Sequence, residues 1–234
     1  MGYSKTVLCL AMATRQHASG VGRCVAGREL NRSRVPGAWI RPVSARESEE
    51  ISFQERYYGD GVTAELLDVI HIPFVEPRPR TYQTENHLID DQCCWSKIGQ
   101  GTWTDVQAAL DTVDGPLWRN YSNSAYGLND RVPEGVANTF TRSLYLVQPE
   151  GLTLVVQEEI RISGPAKRIR ASFSLNGCKY RLAVTDPAVT GEYLRRDVGE
   201  FPLEDTALCI SLGGVFNGYA YKLVAAVITP DMGA

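Results

Sequence analysis

The sequence predicts an all-β protein of two small barrels, and three observations carry that reading. Apolar runs of strand length recur toward both ends of the chain. Glycines fall at bulge and turn positions within and between them. No long segment shows the 3.6-residue periodicity of a core helix, which excludes a sheet wound with alternating helices.

In the first part, Lys5 to Thr14 is apolar on both faces and reads as a buried strand. Arg15 to Gly22 is polar and glycine-bearing, as a strand connection should be. Arg23 to Glu29 is a second strand, whose Gly27 predicts a bulge or tight bend. Gly37 to Val43 is a third, with Pro42 marking an edge. Leu66 to Val75 alternates Ile70, Ile72 and Phe74 against His71 and Pro73 and is a fourth.

Residues 77–142 read differently. Prolines at 77, 79, 116 and 133 punctuate the stretch, and it holds Trp95, Trp103, Trp118, Tyr121 and Tyr126. One short helix is expected over Thr104 to Leu110, with Thr104 as its cap and Asp105 in its first turn. Ordered loops are expected elsewhere, packed through their aromatic rings.

Strand signals resume at Ser143. Leu144–Val147 and Leu152–Val156 flank a turn at Pro149-Glu150-Gly151. Arg168 to Phe173 alternates strictly, Asn176-Gly177 follows, and Tyr180 to Val184 returns, a pattern diagnostic of a hairpin. Asp186 and Pro187 suit the cap and first position of a helix reaching about Arg196. Thr206–Leu212 and Tyr219–Ile228 are the last strands, joined through Gly213-Gly214. Strands, one short helix and further strands in under about 100 residues fit a five-stranded barrel of the OB type. The expected organisation is a first OB-like barrel at 1–76, an aromatic-rich loop and helix connector at 77–142, and a second OB-like barrel at 143–234.

The chain has 234 residues, 44% apolar and 22% charged, which excludes disordered and collagen-like classes. No apolar run is long enough for a membrane-spanning helix, so no membrane partner is expected. The run Val7–Ala13 lacks a small-residue cleavage site, and the six cysteines form no C-x-x-C pair. They read as reduced thiols of a cytoplasmic protein. His17, His71 and His87 have no ligand spacing to one another or to cysteine, so neither a metal nor another cofactor is expected.

The net charge of −3 conceals an asymmetry. Residues 1–46 carry eight basic groups against Glu29 alone, and seven of the eight are arginine. Residues 161–181 carry Arg161, Lys167, Arg168, Arg170, Lys179 and Arg181 with no acid. The intervening 47–130 holds fifteen acids and five bases. Arginine suits phosphate and base stacking. The competing reading pairs these arginines with acids of the middle region in a surface network.

Several phrases occur together. They are Gly22-Arg23-Cys24-Val25-Ala26-Gly27, Trp39-Ile40-Arg41-Pro42-Val43, Gln83-Thr84-Glu85-Asn86-His87, Val184-Thr185-Asp186-Pro187, Cys209-Ile210-Ser211-Leu212-Gly213 and the ending Gly218-Tyr219-Ala220-Tyr221-Lys222-Leu223-Val224-Ala225-Ala226. Through them the chain resembles, over nearly its whole length, a bacterial family described as the dual OB-containing domain. The resemblance implies two OB-like barrels in one chain and, by analogy of fold, a nucleic-acid-binding role.

Three functional classes follow. The first is an accessory protein that binds single-stranded or structured RNA or DNA, with a bacterial conflict or defence system as its setting. OB barrels bind such strands through a basic groove and stacking aromatics. The candidates are Arg23, Arg28, Trp39, Arg41, Lys167, Arg168, Arg170, Arg181, Tyr219, Tyr221 and Lys222. Alternation puts Arg168 with Arg170, Tyr219 with Tyr221, and Trp39 with Arg41. The second class is a nucleotide-handling enzyme with a polar site at Gln83, Glu85, Asn86 and His87, where Glu85 and His87 would serve as an acid–base pair. Bracing of a loop competes with it. No phosphate loop, nucleophile elbow, dinucleotide fingerprint or H-E-x-x-H motif occurs, so no catalytic residue is assigned. The third class is an adaptor that docks a protein partner on Trp95, Trp103 and Trp118; packing of those rings on the barrels competes with it.

Overall fold

The computed structural model describes residues 2–14, 22–59, 61–161 and 164–233. The chain divides into two compact units, residues 1–110 with 141–143 and 229–234, and residues 111–140 with 144–228. The connection expected at Arg15 to Gly22 lies outside the described residues except for Gly22.

The first unit holds β1 (Tyr3–Ala13), β2 (Cys24–Leu30), β3 (Pro36–Val43), β4 (Tyr57–Tyr58), β5 (Val62–Thr63), β6 (Asp68–Pro77), β7 (Asn86–Ile89), β8 (Ser96–Gln100) and helix α1 (Trp103–Ala108). Strands β1, β2, β3, β7 and β6 close into a barrel, because β1 pairs with both β2 and β6. Its first half, from Tyr3 to Leu8, lies against β6, and its second half, from Val7 to Ala13, lies against β2. β3 and β7 run parallel, with Arg41 opposite Asn86 and Pro42 opposite His87. This order, with its parallel β3–β7 pair, is that of an OB barrel. Val7, Val25, Ile40, Ile70, Ile72, Phe74 and Ile89 fill the interior, and Ile51, Tyr58 and Trp95 join the same core.

Sequence and structure differ here at several points, and one is that Pro42 marks no edge, since it stands opposite His87 of β7 within the closed barrel. The bulge expected at Gly27 sits on its partner strand, between Cys9 and Ala11. Gly27 is glycine for closeness instead: a β-carbon there would lie 2.0 Å from the Leu8 carbonyl oxygen. The cap of α1 is Thr102, two residues before the expected Thr104, because Asp105 at the third helical position closes a capping box with Thr102. The fifth barrel strand, β7, falls in the stretch read as connector. Four residues that include Asn86 and His87 carry too little apolar alternation to signal a strand.

The second unit holds β9 (Arg131–Pro133), α2 (Glu134–Ala137), β10 (Leu144–Val147), β11 (Glu150–Arg161), β12 (Gly164–Leu175), β13 (Cys178–Val184), α3 (Pro187–Tyr193), β14 (Gly199–Pro202), β15 (Ala207–Phe216) and β16 (Tyr219–Ile228). The order is β10-β15-β16-β13-β12-β11-β14. The strand that opens this barrel is interrupted at Gln148-Pro149: β10 pairs β15, while β11 pairs β12. β13 and β16 run parallel but pair only at Ala183–Val184 with Leu223–Val224. The segment Leu128–Pro133 fills the gap beyond. Leu128 bonds to Arg181, the Asp130 carbonyl accepts from the Lys222 amide, and β9 pairs with Tyr219–Tyr221. Leu154, Val156, Ile169, Phe173, Tyr180, Leu182, Ile210 and Val224 are core residues, and Val189 and Tyr193 of α3 pack on them.

The Asn176-Gly177 turn forms as expected, with both residues at positive φ. The link between β15 and β16 is not Gly213-Gly214. β15 passes through those glycines at a register shift between Leu212 and Val215. The chain turns at Asn217-Gly218, whose φ values of 50° and 76° suit a tight hairpin better than a glycine pair that a strand can absorb. Asp186 caps α3 through the Ala188 and Val189 amides, and its second oxygen accepts from Val227 N at 3.0 Å.

Candidate nucleic-acid interface

In the first unit the basic and aromatic candidates are held by their own barrel. Trp39 shares the outer face with Arg28 but is 7% exposed, because the Arg28 guanidinium lies 4.7 Å over its ring. Arg28 is itself tied to the carbonyls of Gly37 and Ala109. Arg23 is half-buried and reaches the Gly22 carbonyl. Arg41 donates to Ser143 Oγ at 2.9 Å and lies 3.7 Å from Glu85. Trp39 and Arg41 thus point outward without being open to a ligand. Arg34 pairs with Asp105 and Arg46 with Glu55, so part of the basic first segment is spent on acids of the middle region.

The polar group at 83–87 braces the join of β3 and β7. Glu85 is buried and accepts from both the hydroxyl and the amide of Ser143. Asn86 is buried, with its amide nitrogen 3.4 Å from Gln83. His87 bonds to the Tyr3 hydroxyl. Burial, aided by the Lys5 cation, holds its pKa below the usual histidine value. Glu85 and His87 have different hydrogen-bond partners, Ser143 for the first and Tyr3 for the second. Trp95 belongs to the first core, Trp118 packs edge-on against Tyr145 in the second unit, and Trp103 is half-buried at the start of α1.

In β12 and β13, Ile169, Phe173, Tyr180 and Leu182 point inward, which sends Arg168, Arg170, Lys179 and Arg181 outward. Arg170 nonetheless lies buried, in a fork on Glu159 at 2.7 and 3.1 Å and 3.3 Å from Asp130. The 121–131 stretch supplies Asp130 and covers this part of the face. Lys167 donates to the carbonyls of Leu194 and Arg196, where a cation complements the end of α3. Arg168 is half-buried. Arg181 is half-buried and donates to Gln157 at 3.0 Å.

Lys222 does not reach solvent. Its strand neighbour Ala220 is also inside, so alternation carries Lys222 into the barrel, where it is 0% exposed. Its ammonium nitrogen reaches the Arg119 carbonyl at 2.7 Å and Asn120 Oδ1 at 3.1 Å. Burial lowers its pKa to about 7, against the opposing pull of Asp130.

Tyr219 and Tyr221 face outward, half-buried. The Arg131 guanidinium lies 4.0 Å over the Tyr219 ring, and Arg131 stands opposite Tyr221 across the ladder. Phe216 stands opposite Tyr219 at the hairpin end and is 47% exposed. Arg131 and Phe216 escape sequence reasoning because neither belongs to a basic or aromatic cluster in the chain. The Asn217-Gly218 turn is the signal that could have placed Phe216 at a tip. A group of Phe216, Tyr219 and Arg131 therefore lies on the outer face at the loop between the fourth and fifth barrel strands, while Arg181 faces outward on the third with its guanidinium on Gln157 of β11. The group offers π faces beside a guanidinium, the pairing that holds bases and phosphates.

A closed five-stranded barrel of OB order, and a second unit of the same strand order with a helix between its third and fourth strands, define a tandem OB-fold protein. The chain belongs to the dual OB-containing domain family, whose sequence pattern matches residues 5–227. No curated protein and no solved structure matches it. Among the described residues no helix is long and apolar enough to cross a membrane.

Proposed function

We propose that the protein is an accessory factor that binds nucleic acid, single-stranded or structured, along the outer face of its second barrel. The observation that supports this reading is the group Phe216, Tyr219 and Arg131, with Arg181 facing outward on the third barrel strand. It occupies the strand and loop region through which OB barrels take oligonucleotides. Membership of a dual OB family supports the same ligand class. A conflict or defence setting stays part of this proposal.

The test is anisotropy titration of a labelled single strand across a salt series. Affinity falls as salt rises, because each neutralised phosphate releases counterions. Arg131→Ala with Arg181→Ala weakens binding and makes the salt slope shallower by about one for each phosphate no longer neutralised. Undetectable binding at about 50 mM salt, where such contacts are strong, contradicts the proposal.

A further inference from the structure

Tyr121 is 93% exposed, yet its backbone is tightly held. Its φ is +76°, in the left-handed region, which a residue with a β-carbon occupies only under strain. One side chain fixes this conformation. Asn129 Oδ1 accepts from the Tyr121 amide at 2.9 Å, and Asn129 Nδ2 donates to the Lys179 carbonyl of β13 at 2.9 Å. The Asn129 amide in turn donates to Asn123 Oδ1 at 2.6 Å. The loop is thereby fastened to the barrel, and the ring is turned away from any core that would repay the strain. An exposed aromatic alone is ordinary. An exposed aromatic kept on a strained backbone by a dedicated clamp is the kind of feature that marks a ligand contact.

The surroundings indicate the ligand. Ser122, the next residue, accepts from Arg131 Nε at 3.3 Å, and Arg131 is the guanidinium that lies over Tyr219. Arg119 and Lys179 are exposed, the first two residues before Tyr121 and the second at the clamp's anchor on β13. The loop that carries this exposed π face is thus hydrogen-bonded to the backbone of Lys179 and to the side chain of Arg131, with Arg119 two residues before it in the chain.

We propose that Tyr121 is the platform on which one unpaired nucleobase stacks, with its flanking phosphates at Arg131, Arg119 and Lys179; this rests on the nucleic-acid reading. A base inside a duplex has both faces covered, so the platform selects single strands.

The experiment compares wild type with Tyr121→Ala, Tyr121→Gly and Tyr121→Phe for binding to an oligothymidine of about 15 nucleotides and to a duplex of equal length. Tyr121→Ala and Tyr121→Gly weaken single-strand binding by about tenfold, the scale of one stacked base. They leave the salt slope and duplex affinity unchanged, and Tyr121→Phe binds as wild type does. Thermal melting controls for folding, since Tyr121→Gly relieves the strain and melts no lower than wild type. Wild-type-like affinity of Tyr121→Ala, or equal losses on single strand and duplex, overturns the stacking role while the nucleic-acid reading stands. No binding by wild type at about 50 mM salt overturns both.

Discussion

Lys222 is a cation that the fold neutralises. The unfolded chain keeps this amine protonated until about pH 10.4, whereas the folded chain releases the proton near pH 7. Between those values the unfolded state holds more protons, so stability rises with pH; below about 7 both states are charged and the cost of burying the charge is fully present. Cys9, whose thiol is pushed up to about 12 by burial, acts in the opposite sense above its ordinary value near 9. The clean window is therefore about pH 7 to 8.5. Urea midpoints measured there rise for wild type, and Lys222→Met flattens the rise. Arg170 makes a second residue-scale prediction. Arg170→Met leaves Glu159 and Asp130 as buried, uncompensated carboxylates, so chemical denaturation finds it about 3–5 kcal/mol less stable than wild type. The sequence placed Arg168 and Arg170 on one face correctly. It did not show Arg170 covered, because the covering Asp130 lies 40 residues away and only the folded chain brings it near.

At the scale of elements, strands with an apolar run, a period-two pattern or a turn signal were legible: β1, β3, β6, the β12–β13 hairpin, β16, and α3 with its Asp186 cap. Short elements made by pairing were not. β7 and β9 are strands because partner edges hold them, not because their residues prefer it. Gly27 and Asp186 carry element-scale predictions. Gly27→Ala forces a carbon into the Leu8 carbonyl and parts β1 from β2, so its melting temperature falls well below that of an Ala26→Gly control in the same strand. Asp186→Ala removes an N-cap and strands the buried Val227 amide, a loss of about 2 kcal/mol or more that equilibrium denaturation measures directly.

For the whole molecule, the net charge of −3 is a poor guide to partners. In the first unit several basic side chains meet acids or carbonyls, as Lys5 does with Glu29 and Arg41 with Glu85. In the second unit Arg131 stays on an outer face over the Tyr219 ring, and Arg181 faces outward from β13. Segment charge located the basic strands, but the accessible subset depends on which loops fold over them, and that is a long-range property. The direct test of nucleic-acid binding is the dependence of single-strand affinity on salt, measured for wild type and for the Arg131→Ala, Arg181→Ala double variant. Log affinity should fall linearly with log salt for wild type, and less steeply and from a weaker starting point for the variant. Absent binding, a salt-independent affinity, or a variant indistinguishable from wild type would contradict the account.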